Sequence, residues 1–284
     1  MQQAELANRP GAIHRAVSGD GTEIAGRVHG QGPPLVLVHG GAGDGETAWQ
    51  PLLPFLASHF ACYMVSTRGR GLSADHPDHS LERLVQDVTA FVESIGEPVG
   101  IFGHSSGLAL AAAARTATIA AVAVYEPAVP ALASQSAARE AEAIERMMAA
   151  AGENRLSEAA RLFFEESGLF NDGEVAALAA SNAYAVIAPT VPAWCQEMPE
   201  YGGAVDPSIL ERVGVPVLLL QGADTAPWFR ESVRYVAEKL PDATVVTVPC
   251  AGHLGPRLAP EPVARALIPF FTIVDQPDRT ETAS

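Results

Sequence analysis

Cysteine is scarce in this chain: Cys62, Cys195 and Cys250 are the only three in 284 residues. They are odd in number, far apart, and sit in no CxxC or Cys/His ligand spacing. That argues against a disulfide framework and against a structural zinc site. Basic residues are also few, 18 Lys+Arg against 33 Asp+Glu, which leaves a net charge of −15. A surface that acidic repels phosphate backbones and anionic membranes, so neither nucleic acid nor a membrane is expected as a partner. Long apolar runs are missing too. The longest, around Leu108–Ala114 and Ile119–Tyr125, are separated by Arg115 and fall short of the roughly 20 residues a membrane span needs. The opening stretch MQQAELANRPGAIHR has no apolar h-region, so no secretory signal is expected. These absences point to a soluble, cytoplasmic protein. Nothing in the composition marks a partner surface, which leaves a homodimer open.

What is present is a globular composition, 48 % apolar and 18 % charged, in a chain long enough to bury a sizeable core. Ile13–Ser18 and Glu23–Val28 flank GDGT, a hairpin signal. Leu35–Val38 is a short, wholly apolar run ending in glycines, as expected of a strand buried on both faces. Similar runs recur at Phe60–Val65, Val99–Phe102, Ala120–Val124, Val215–Leu220 and Thr244–Val248. Helix-length segments lie between most of them: Ala48–Ser58, Leu81–Ile95, Leu108–Thr116, Trp228–Leu240 and Pro262–Phe271. The alternation predicts an α/β fold, a mostly parallel eight-stranded sheet flanked by helices on both faces. From about residue 127 to 213 the pattern is helical only (Ser136–Ala150, Leu156–Glu165, Glu174–Ala188). A crossover seldom needs that length, so a helical lid inserted after strand six is expected. The expected organisation is a core over 12–126 and 214–273, a lid over 127–213, and flexible termini at 1–11 and 274–284.

The strongest chemical signal is Gly103-His104-Ser105-Ser106-Gly107, which follows the strand VGIF and opens the helix LALAAAAR. It is G-x-S-x-G in the strand–turn–helix setting that its mechanics require. The tight turn demands glycines two before and two after the serine, and aims the serine oxygen away from the sheet. The plainer reading, a Gly/Ser loop capping a helix, does not account for the strand and helix on either side. A serine hydroxyl is a weak nucleophile until a base takes its proton. Of eight histidines, His253 stands out, because CAGHLGP lies just after the last strand and before the last helix. His104 is the variable residue of the serine motif and is expected to help pack the turn, and His39 reads as a loop histidine. The loop His39-Gly40-Gly41-Ala42-Gly43 follows strand three. Its Gly41 N–H, with that of Ser106, suits an oxyanion hole. A phosphate-cradling role for that loop is poorly supported, since no Lys-Ser/Thr follows and GxGxxG is absent.

With these motifs in place, the chain resembles the α/β-hydrolase fold family from about Ile13 to Phe271. The resemblance rests on HGG after strand three, STRGRGLSAD (Ser66–Asp75) after strand four, GHSSG at the elbow and AGH before the last helix. It implies Ser105 as nucleophile, His253 as general base and acid, and Gly41 with Ser106 as oxyanion donors, with Arg68 structural. The base needs an acid to fix its tautomer. In most of the family that acid stands three residues after the glycine ending strand seven, and here Thr225 occupies the position, with Asp224 one residue early. Strand six ends in Glu126, and an acid there is a variant of the fold found in haloalkane dehalogenases and zearalenone-type lactonases. Glu126 is the preferred acid and Asp224 the alternative. Each has a plainer role, Glu126 capping the first turn of the lid and Asp224 capping the helix near Pro227.

A serine nucleophile points to acyl transfer from an ester, lactone, thioester or activated amide to water, or to cleavage of a C–C bond beside a ketone. The inserted segment is rich in aromatics. Trp194 and Tyr201, with Trp228 after strand seven, are the expected substrate-contacting residues, although aromatics at helical spacing also serve as packing within a lid. An apolar cleft suits a hydrophobic, aromatic small-molecule ester or lactone. AWCQEMP and GADTAPWF resemble stretches of zearalenone-type lactonases, which raises lactone hydrolysis within the class. A cofactor-free perhydrolase or haloperoxidase on the same three residues, and a ligand receptor on the same fold, are the alternatives. No metal and no organic cofactor is implied.

Overall fold

The computed structural model describes residues 11–132 and 137–274. The termini expected to be flexible, 1–11 and 274–284, lie outside the described residues except for Gly11 and Val274.

Eight strands form one sheet: β1 (Ala12–Val17), β2 (Glu23–His29), β3 (Pro34–Val38), β4 (Ala61–Val65), β5 (Val99–His104), β6 (Ile119–Tyr125), β7 (Val217–Gly222) and β8 (Ala243–Val248). Their order is β1-β2-β4-β3-β5-β6-β7-β8. β2 pairs antiparallel with β1 and β4, and every other pairing is parallel. Period-two alternation divides each central strand between two cores. On β3, Val36 and Val38 face one cluster while Leu35 and Leu37 face the other, all of them fully buried. This explains why the strands read as unbroken apolar runs, since both faces are covered by helices.

Among the described residues, the helices before β6 are α1 (Gly45–Trp49), α2 (Leu53–Leu56), α3 (Leu81–Glu93) and α4 (Leu108–Ala113). α3 buries Leu84, Val85, Val88, Phe91 and Val92, a stripe at three- and four-residue spacing. α4 is buried on all sides, and its alanines let it lie close to the sheet. The single helix expected over Ala48–Ser58 is two short ones. Pro51 has no N–H to continue the first, and Pro54 opens the second.

Between β6 and β7 the described chain is helical: α5 (Ala137–Gly152), α6 (Leu156–Glu166), α7 (Asp172–Ala179), α8 (Ala183–Ile187), α9 (Val191–Glu197), α10 (Tyr201–Ala204) and α11 (Pro207–Leu210). The helix expected over Glu174–Ala188 breaks at Ala180–Asn182, where the Ser181 hydroxyl donates to the Leu178 carbonyl. Met147, Phe164, Leu178, Ile187 and Trp194 form a third core, which also takes in Leu254 from the main body. The end of the segment behaves differently. Ala204, Val205, Leu210 and Val213 join the core beneath the sheet with α4. After β7 come α12 (Pro227–Lys239), α13 (Gly255–Leu258) and α14 (Pro260–Val274). Among the described residues no single helix is long and apolar enough to cross a membrane.

Chain order reverses direction across the sheet between β3 and β5. The crevice beyond the carboxyl ends of those two strands is where open α/β sheets place their sites. The glycine loop after β3 and Ser105 after β5 both open there.

Candidate active site

Ser105 occupies the turn between β5 and α4 with φ 61°, a left-handed conformation costly for a residue with a side chain. The flanking glycines make the turn feasible. A Cβ at Gly103 would come within 2.7 Å of Ala109, and one at Gly107, itself at φ 73°, within 2.8 Å of Val205. Main-chain bonds hold the strained residue, as the Ser105 N–H donates to the Tyr125 carbonyl at 3.0 Å and its carbonyl accepts from Ala128 at 2.8 Å.

His253 lies between β8 and α13, 5 % exposed. Its Nδ1 is 2.8 Å from Glu126 Oε2. Glu126 is fully buried at the end of β6 with φ 45°. Its Oε1 accepts from the Gly222 N–H at 2.7 Å, and its Oε2 accepts from the Thr225 hydroxyl at 2.9 Å. Asp224, the alternative acid, is exposed. Among the described residues its hydrogen bonds are made by the main chain, its N–H donating to Ala251 and its carbonyl accepting from Asn171 Nδ2. The reason is positional. Thr225 stands where the family's usual acid would, and its hydroxyl reaches across to Glu126.

The imidazole ring stacks on Phe229, with centroids 3.6 Å apart and planes 7° from parallel. His104 Nε2 donates to the His253 carbonyl at 2.9 Å, and the Tyr125 hydroxyl donates to the Gly252 carbonyl at 2.7 Å. The histidine loop is thus fixed through both ring and backbone. Burial pushes the His253 imidazolium down to about 3. Burial also raises the Glu126 carboxyl to about 8, outweighing the bonds from Gly222 and Thr225. Both shifts favour uncharged forms. The pair therefore keeps its last titratable proton to higher pH than a free imidazole does.

The glycine loop after β3 is held from below. His39 is buried, with Nδ1–H donating to the Gly40 carbonyl and Nε2 accepting from the Thr67 N–H. Burial, then the charge of Arg70, pushes it down to about 4. The Arg70 guanidinium donates to the carbonyls of Gly40, Gly41 and Gly43 and pairs with Glu197 of α9. Glu197 also accepts from Tyr201 and Thr67. Burial would raise its carboxyl, but the charge of Arg70 and the hydrogen bond from His79 outweigh it and the net direction is down. Sequence reading missed Arg70. The arginine in TRGRG that it singled out, Arg68, is buried against Asp87 and Asp20 and does not reach the cavity.

Gly40, Gly41, Ser105 and His253 line one cavity of about 380 Å³, roofed by α5, α6, α7 and α9. Its wall is aromatic and aliphatic. Trp194, Tyr201 and Trp228 all lie on it. Trp194 packs so tightly on the Gly41 backbone that a Cβ there would come within 2.3 Å of the indole nitrogen. The Tyr201 hydroxyl is spent on Glu197, and the Trp228 indole N–H on the Leu132 carbonyl at 2.7 Å. The two expected oxyanion donors fare differently. Gly41 is on the wall, whereas Ser106 is not, and its N–H closes on the His104 carbonyl at 2.7 Å. No group of three or more metal-ligating side chains occurs among the described residues.

A serine on a tight strand–turn–helix, at the switch point of a doubly covered, mostly parallel sheet, places the molecule among the α/β enzymes. More narrowly, the chain belongs to the alpha/beta hydrolase family, whose pattern matches residues 35–266. A crystal structure of an alpha/beta hydrolase from Sphaerobacter thermophilus superposes with a TM-score of 0.76 at 29 % identity, covering 91 % of this chain and 100 % of that one. A 2-hydroxy-6-oxo-6-(2'-aminophenyl)hexa-2,4-dienoic acid hydrolase from Metapseudomonas resinovorans is 24 % identical over 92 % of this chain and 91 % of its own length. Pyrrolizixenacetamide deacetylase from Xenorhabdus hominickii is 35 % identical over 88 residues, so this chain spans only 32 % of that protein's length in the match.

Proposed function

We propose that this protein is a serine hydrolase that cleaves a carboxylic ester or lactone of a hydrophobic, aromatic small molecule. The observation that carries the reading is the contact of His253 Nδ1 with the buried Glu126 carboxylate behind the cavity wall that His253 shares with Ser105 on its strained turn. The Nδ1–H, held by Glu126, leaves Nε2 to take the Ser105 proton as Oγ attacks the carbonyl carbon. The oxyanion is met by the Gly41 N–H. Ser106 joins by exchanging its N–H bond to the His104 carbonyl for a bond to the anion, which is the stronger acceptor. Collapse expels the alcohol, protonated by His253, and leaves an acyl-Ser105. Water then repeats the sequence, so no cofactor is required. The inserted helices act as a lid that keeps bulk water from the aromatic cleft. Within the ester class, the acid at the end of β6 and the Trp194 and Trp228 segments favour a lactone.

Cleavage of a C–C bond on the same residues is the second reading, supported by the Metapseudomonas relative, whose name is that of a dienoic acid hydrolase and which aligns over nearly the whole chain. The deciding experiment pairs mass spectrometry after a fluorophosphonate probe with hydrolysis of nitrophenyl esters and an aromatic macrolactone. Expected are a single adduct on Ser105 and loss of turnover in Ser105→Ala. Unimpaired hydrolysis by Ser105→Ala overturns the reading, and turnover of acyclic esters with no ring opening reduces it to a plain esterase.

A further inference from the structure

The cavity wall carries a charged side chain to which the proposed reaction gives no role. Arg257 lies on α13, four residues after His253, and lines the cavity with Ser105, His253 and Trp228. Its place is fixed by packing. The Arg257 N–H donates to the Leu254 carbonyl at 2.9 Å. At the start of the same helix, a Cβ on Gly255 would come within 2.2 Å of the Tyr125 hydroxyl. α13 thus sits hard against the sheet, at a set distance from the histidine.

Several arginines near the cavity or on its roof are ion-paired: Arg70 with Glu197, Arg146 with Glu166, Arg155 with Glu153 and Glu158, Arg161 with Glu165. Arg257 is half-buried, and among the described residues it has no ion pair and no side-chain hydrogen bond. Burial with no opposing charge lowers its proton affinity. His104 and His253, the other basic side chains on the wall, are pressed toward neutrality by the same burial. Glu140 also borders the cavity. A guanidinium with five donors, part-stripped of water beside an apolar wall, fits an anion presented by something that enters the cavity.

We propose that Arg257 is a carboxylate-recognition residue, and that the substrate is an amphiphile whose apolar body fills the aromatic part of the cavity while its carboxylate sits on Arg257. This narrows the substrate class of the hydrolase reading and rests on it. A planar carboxylate matches the guanidinium fork with two parallel bonds. One guanidinium balances one negative charge, and in a protein of net charge −15 with Glu140 on the same wall, a dianion is disfavoured.

The test is direct binding, measured by calorimetry, so that it does not depend on turnover. Phenylalkanoates with two to five methylenes are compared with the alcohols of equal length, on wild type, Arg257→Met and Arg257→Lys. In wild type the acid of at least one length should bind about tenfold or more tighter than its alcohol, the range for a hydrogen-bonded charge pair. Arg257→Met should remove that advantage and leave the alcohol's affinity unchanged, while Arg257→Lys should keep part of it. Equal affinities for acid and alcohol at every length overturn the proposal. So does an advantage that survives Arg257→Met, because the carboxylate then binds at the oxyanion loop. Because Ser105 labelling is scored separately, failure here leaves the hydrolase reading standing.

Discussion

Replacing Glu126 by glutamine alters one atom in the core and separates a neutral acceptor from the acceptor His253 needs. Both carboxylate oxygens accept hydrogen bonds, Oε1 from the Gly222 N–H and Oε2 from Thr225 and His253. The amide –NH2 must take one of these places. Facing Gly222 it would set two donors against each other in a buried site, at about 1–3 kcal/mol. Facing Thr225 and His253 it is tolerated, because the hydroxyl can rotate and the imidazole can move its proton to Nε2. The second arrangement wins, and it holds the base in the wrong tautomer. For an Asp-to-Asn change of this kind the loss in kcat is about 10⁴-fold, or about 5 kcal/mol in activation free energy. The assay is kcat and KM for a nitrophenyl ester, with thermal unfolding to show that the variant is folded and Asp224→Asn as the control. Expected are a collapse of kcat in Glu126→Gln with little change in KM, and near-normal kinetics in Asp224→Asn. Turnover by Glu126→Gln within about tenfold of wild type would refute the argument, since it falls far short of the roughly 10⁴-fold loss expected for a wrong tautomer.

Two further outcomes can be checked. Base catalysis needs His253 neutral with Glu126 ionised, and burial of that net negative pair holds its last proton above the ordinary imidazole range, with Glu126 raised to about 8. kcat/KM should therefore rise with pH along a limb centred above 6.5 and toward 8, and a limb centred below 6 contradicts this. Glu197→Gln leaves the Arg70 guanidinium buried with no counter-charge, at a cost of about 3–5 kcal/mol. For a chain of this size the thermal midpoint should drop on the order of 10 °C, with a slower acylation step as the Gly40–Gly43 loop loosens, and an unchanged midpoint counts against the pair as its anchor.

Much of the sheet could be read from sequence because strands covered on both faces must be apolar at every position, as in Leu35–Val38. Helix ends were harder to read. Ala48–Ser58 contains two prolines whose effect depends on which N–H must bond, and Glu174–Ala188 breaks at a serine that bonds back to its own helix. Ser105 and His253 were legible because their settings, a strand–glycine turn and a loop after the last strand, are local. The choice between Glu126 and Asp224 was not. The structure places Glu126, not Asp224, against His253, and the Thr225 hydroxyl that holds it lies 99 residues away in sequence. Arg70 left a signal in TRGRG, but its three carbonyl acceptors lie on another loop, and no local pattern specifies them. Glu174 looked like the start of a helix. Its second oxygen bonds the Leu254 N–H at 2.6 Å, a partner visible only once the chain is folded.

That last bond has a mechanical consequence. Glu174 caps α7 through Asn171 while gripping the residue next to His253, and Asn171 holds the Asp224 carbonyl. α7 is thereby bolted to the two turns that carry the imidazole and border its acid. Lifting the roof at this corner by more than the reach of a hydrogen bond pulls on the base itself. On the proposed mechanism, opening at that corner would switch the centre off until the helix settles again.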